Sequence, residues 1–174
     1  MAKLRKMLGD VNSPVCMEIM ALIATQSQQT VEKWAVDYAF ENTLPLYCKE
    51  YPGETLLSDT VAKCRSYMAG EMKLSQLKPS LSDARKLASA TKGDIAQAAA
   101  RAVSAACAST QTPTNAFGFL MYAAAAGAYA NLGIDCPQPE YDAYAQNQME
   151  KALNSLRSVA VENEPNPVNV DWHC

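Results

Sequence analysis

Residues 102–134, "AVSAACASTQTPTNAFGFLMYAAAAGAYANLGI", form 33 consecutive positions without a single Asp, Glu, Lys or Arg. A membrane hairpin, a cofactor site and a protein core would each leave such a run. "TQTPTN", Thr110 to Asn115, divides it, and the wholly apolar part that follows, Ala116 to Ala130, has 15 residues, whereas a spanning helix needs about 20. Most of those residues are alanine or glycine, which gain little on transfer to lipid. The run therefore reads as a helix apolar on every side, and such a helix belongs inside a bundle, wrapped by amphipathic partners. Ala123 to Ala126, Gly127 and Ala128 have almost no side chain, so neighbouring backbones can approach closely.

Working outward, the other segments show the period of amphipathic helices. Ser13 and Pro14 match an N-cap followed by a first helical residue, and Val15, Ile19, Leu22 and Ile23 form the first buried stripe. Val31, Trp34, Ala35, Tyr38 and Ala39 form the second, with Pro45 kinking or ending that helix. The third stripe is Leu57, Val61, Cys64 and Met68, closed by Gly70; the fourth is Leu77, Leu81, Ala84 and Ala88. Ile95, Ala99, Ala102 and Ala106 give the fifth. Thr112 and Pro113 repeat the Ser13–Pro14 signature and open the sixth helix, which ends at Gly133. Ala145, Met149, Ala152, Leu156 and Val159 give the seventh. No segment sustains an alternation of period two, so no strand is expected. The fold class is all-α: a single-domain bundle of about seven helices with an Ala-rich central helix, spanning residues 1–161. Residues 162–174, with two prolines and no apolar period, read as an extended or loosely attached C-terminal tail.

The chain carries 15 basic and 18 acidic residues, a net charge of −3, without a dense Lys/Arg run. This balance argues against nucleic acid and anionic membranes as partners. The basic start "MAKLRKML" is broken by Gly9, Asp10 and Asn12 before an apolar signal region can form, so a cytoplasmic location is expected. Six scattered cysteines show no metal-binding spacing and read as reduced, structural thiols.

The usual enzyme signatures are missing: no Gly-rich phosphate loop, HExxH or GxSxG occurs. The one histidine, His173, stands in the terminal "DWHC" with Asp171 and Cys174. These are metal-binding residue types, but the reading is a frayed end, and neither a catalytic residue nor a cofactor is assigned. The best polar constellation is on the second helix, where Trp34, Asp37 and Glu41 share one flank. Asp37 and Glu41 are like charges one turn apart, unfavourable unless a cation meets them. Arg65 and Arg85 occupy boundary positions from which a guanidinium can reach a neighbouring helix. Arg101 shares a small-residue face with Gln97, Ser104 and Ala108, where it could clamp a carboxylate or a partner. Trp34, Asp37, Glu41 and Arg101 are the candidate binding residues.

"SPVCMEIMALI", "TVEKWAVDYAFENTLPLYCKEYP", "AGEMKLSQLKP", "AQAAARAVSAACAST" and "FGFLMYAAAAGAYANLG" together resemble the all-helical bacterial immunity proteins that protect a cell against polymorphic toxins. The resemblance covers roughly Gly9 to Gly133. It implies a helical bundle that neutralises a protein toxin, with Gln111 and Asn115 at places where relatives often carry histidines. Two functional readings remain open: a non-catalytic binding protein that blocks a toxin by surface contact, or a helical small-molecule-binding protein or enzyme using Asp37 or Glu41 with Arg101. A homo-oligomer joined through an alanine-rich face is a further possibility.

Overall fold

A computed structural model describes residues 3–172; His173 and Cys174, and with them the terminal metal reading, lie outside that range. The described chain is a single all-α domain. Its elements are α1 (Pro14–Ala24), α2 (Gln28–Asn42), α3 (Leu44–Glu50), α4 (Leu56–Met68), α5 (Leu74–Ala90), α6 (Asp94–Ala108), α7 (Asn115–Leu132) and α8 (Gln138–Val159). None is long and apolar enough to cross a membrane.

Helix starts follow local chemistry where a side chain can reach an orphan amide. Ser13 Oγ accepts from the Cys16 amide at 3.3 Å with Pro14 just inside α1, and Ser27 Oγ does the same for Thr30 at the head of α2. Thr112 and Pro113 behave differently. Ser109 and Thr110 turn their hydroxyls back onto the Ala106 and Cys107 carbonyls at 2.6 and 2.7 Å, so α6 winds down through tight turns and α7 begins at Asn115. The chain turns at Thr43 and forms a further short helix, α3, for which no apolar stripe was read, so there is one element more than the stripes suggest. α2 ends just before Pro45, one of the two outcomes expected of it, and Pro45 sits in the first turn of the short α3, where a helix has no amide partner for proline to lose.

The uncharged run is indeed interior, and two helices share the centre. α7 packs on α1, α2, α3, α6 and α8; α6 packs on α2, α3, α4, α5 and α7. Along α6, Ala96, Ala98, Ala99, Ala100, Ala102, Val103 and Ala106 are all buried among its five neighbours, and Ala124, Ala125, Ala126 and Ala128 are buried small residues of α7. Methyl-sized side chains let these two helices meet along most of their length, and the larger stripes of the outer helices, Ile19, Val31, Leu57, Leu77 and Leu156, close around them.

The segment after α8 has no helix but is firmly held. The Val168 amide donates to the Gln26 carbonyl at 2.8 Å, and the fully buried Gln26 side chain bonds both the amide and the carbonyl of Val161, at 2.7 and 3.1 Å. Glu164 accepts from the Ser27 amide, the Ser27 hydroxyl and the Thr30 hydroxyl at 2.8, 2.8 and 2.6 Å. A carboxylate at a helix N-terminus is favoured by the helix dipole, and these three donors, led by Thr30, hold the Glu164 carboxyl below the usual range. "Loosely attached" therefore fails for residues 161–168. The anchoring pairs a residue's chemistry with a helix end 137 positions away in sequence, which periodicity does not register.

Candidate functional site

Of the four binding residues expected from the sequence, three line one cleft and the fourth lies in another. Trp34, Asp37 and Glu41 of α2 face Ser155, Ser158 and Val159 of α8 across a cleft of about 480 Å³. Trp34 forms its floor: the ring is 4 % exposed, packs edge-on to Phe119 at 5.8 Å and spends its indole N–H on Ser155 Oγ at 3.1 Å. A buried indole needs such a partner, so this residue shapes the cleft without offering a free donor.

The like-charge pair is relieved on one side. Lys33 Nζ stands 2.6 Å from Asp37, one turn along α2, and Arg65 of α4 donates to the same carboxylate at 2.9 and 3.2 Å. Burial pushes the Asp37 carboxyl up, but the hydrogen bonds from Lys33 and Arg65 together outweigh it and hold the group below its ordinary value. Asp37 is thus not a carboxyl with a raised pKa. Arg65 also lies 4.4 Å above the half-exposed Phe40 ring, a cation–π contact. Glu41 is exposed at the rim and makes no ion pair or side-chain hydrogen bond among the described residues.

The carboxyl that does shift upward is one the sequence reading passed over. Glu32 is 5 % exposed, and burial raises it to about 7 against a single 3.4 Å bond from Gln28 Nε2. Gln28 in turn donates to the Ser109 carbonyl at 3.2 Å, so Glu32 sits where α2 meets the end of α6. The signal was weak: Glu32 follows Val31 of the apolar stripe and is one turn from Gln28, a spacing shared by many solvated pairs.

Arg101 lines a second groove, of about 580 Å³, together with Lys78, Ser82 and Arg85 of α5, Ser104 of α6 and Tyr122 of α7. A catalytic set of Asp37 or Glu41 with Arg101 is therefore not assembled. Among the described residues there is also no group of three or more His, Cys, Asp or Glu side chains placed to hold a metal ion. The five described cysteines are free thiols. Cys64 and Cys107 meet where α4 crosses α6, and the Cys64 hydrogen bond and burial together push the Cys107 thiol well up.

The all-helical bundle agrees with one comparison. The model for the Imm-5 like putative immunity protein matches residues 21–155. This chain belongs to that family. The matched span takes in α2 to α7 whole and reaches Ser155 of α8, beyond the Gly133 limit of the sequence resemblance. Both walls of the α2–α8 cleft up to Ser155, and the whole of the Arg101 groove, fall within the family's span. No curated protein and no solved structure gives a match.

Proposed function

We propose that this immunity protein works from the cytoplasm of a bacterial cell and neutralises a protein toxin by surface contact, without catalysis, through the α2–α8 cleft. Membership of the immunity family over residues 21–155 carries the reading. The cleft supports it in composition. Its floor is the rigid, buried Trp34 ring, its rim offers the unpartnered Glu41 carboxylate and the half-exposed apolar Val159, and Phe40 under Arg65 stands on the same helix. Aromatic and arginine anchors within a partly desolvated patch are the usual carriers of binding energy. Lys33, Asp37 and Arg65 hold one another in place, so the rim is ordered before a partner arrives, which lowers the entropy lost on docking.

The test is co-expression with a toxin encoded beside this gene, followed by titration of the two purified proteins. Contact predicts rescue of growth, a stable complex, and a loss of affinity of about tenfold or more for Glu41→Lys, whose reversed charge opposes whatever cation meets Glu41. The melting temperature of that variant should be unchanged, because Glu41 is exposed and unpaired. Rescue without any complex would indicate chemistry on the toxin or its target and would overturn the proposal.

A further inference from the structure

The groove between α5, α6 and the start of α7 reverses the sign of the molecule. In a chain of net charge −3 it gathers Lys78, Arg85 and Arg101, and none of its lining residues is a carboxylate. None of these three cations has an ion-pair partner among the described residues, in contrast to Lys33, Arg65 and Arg157, which pair with Asp37 and Glu18.

Helix geometry sets the spacing. Gln97 Nε2 donates to the Ser89 carbonyl at 3.2 Å, which fixes the register of the α5–α6 hairpin, with its three-residue connection. Counting away from that bond in opposite directions brings Arg85 level with Arg101 and Ser82 level with Ser104. Lys78 lies seven residues before Arg85, about 10 Å further along α5 at 1.5 Å per residue. Ser104 is more than nine-tenths buried in the floor, yet its hydroxyl makes no hydrogen bond among the described residues. A helical serine can bond back to its own helix; this one does not, and since no fully buried side-chain oxygen among the described residues lacks a partner, the Ser104 oxygen opens onto the groove.

We propose that this groove binds a small, elongated organic polyanion bearing phosphate or carboxylate groups at both ends. Arg85 and Arg101 clamp one end, Lys78 meets the other, and the Ser104 hydroxyl donates between them. Two guanidiniums at one level suit planar, bidentate contact with an oxyanion, and a lysine supplies a point charge. A volume of about 580 Å³ falls in the range of small-molecule sites, roughly 300–1,000 Å³. The half-buried Arg101 and the recessed Ser104 favour a ligand that enters the groove over an acidic protein surface laid across it.

Isothermal titration of the full chain at low salt tests this with four probes: a sugar bisphosphate, whose phosphates are held apart by the carbon chain, inorganic pyrophosphate, citrate and hexaglutamate. The sugar bisphosphate should bind more tightly than pyrophosphate, and added salt should weaken it. Arg101→Gln and Arg85→Gln should each weaken it about tenfold, the effect of one lost charge-assisted bond. Arg101→Lys should recover part of that loss, while Lys151→Gln on the exposed face of α8 should change nothing. Arg85 is exposed, so its variant reports on binding even if the Arg101 variants melt early. The proposal falls if no small anion gives a heat of binding, if the arginine variants bind as the wild type does, or if hexaglutamate binds more tightly than every small anion. No toxin is present in this titration, so its outcome is separate from that of the contact experiment.

Discussion

Replacing Glu32 by glutamine should make the protein more stable at pH 8 and remove most of one pH dependence. Glu32 is buried against the end of α6, its Oε2 held by Gln28, and burial raises it from 4.5 to about 7. An acid whose pKa is raised in the folded state binds its proton more tightly folded than unfolded. Stability is thus full below about 4.5, falls as pH rises through about 7, and levels off above. The gap between the two values corresponds to roughly 3 kcal/mol at most, at 1.36 kcal/mol per pH unit. No fully buried side-chain oxygen lacks a partner among the described residues, so the second carboxylate oxygen retains some solvent, and the effect is nearer about 2 kcal/mol. Glutamine keeps the shape and the bond to Gln28 without the charge. Urea unfolding of both proteins at pH 5 and pH 8 isolates the contribution, because every other titrating group cancels in the difference. Wild type should lose about 2 kcal/mol relative to Glu32→Gln over that interval. A difference that stays constant from pH 5 to pH 8 would refute the claim that burial strains this carboxylate.

Gly127→Leu should cost roughly 1–3 kcal/mol or more. Even a Cβ there would stand 2.8 Å from the Tyr144 hydroxyl, so adding Tyr144→Phe should recover part of the loss in the same thermal or urea melts. Leu120→Ala, at a position of α7 that is 3 % exposed, should cost about 2–5 kcal/mol through the cavity it leaves; a melt within experimental error of wild type would remove Leu120 from the core. Glu164 carries a depressed pKa, so its grip on Ser27 and Thr30 contributes above about 4.5 and fades as pH falls further. Hydrogen exchange should show the Ser27 amide losing protection in acid, and Glu164→Gln losing it at every pH.

The α7 run was legible because it follows from composition: with no charge and little side-chain volume, Ala116–Ala130 has one comfortable place in a water-filled setting, between other helices. The apolar stripes of α1, α2, α4, α5, α6 and α8 were legible for the same local reason, a repeat every three or four residues along one chain, although Val159, read as the last member of the α8 stripe, is exposed at the helix end. Arg65 also declared itself, since a cation at the edge of a stripe is within reach of a neighbour, and it meets Asp37.

The short α3, the anchored tail and the separation of Arg101 from the other three candidate residues were not legible. Each depends on which helix lies beside which. Glu164 caps α2 from the far end of the chain, Arg101 faces α5 instead of Asp37, and Glu32 is raised because the closed bundle buries it, which the bond from Gln28 only partly offsets. Sequence alone determined the helices, the buried stripes and the family resemblance, all of which rest on neighbours within a turn or two. Tertiary structure decided which polar groups share a cleft and which carboxyl is raised. Those properties depend on dielectric and on distances of a few ångströms between residues far apart in the chain, set only when the bundle closes.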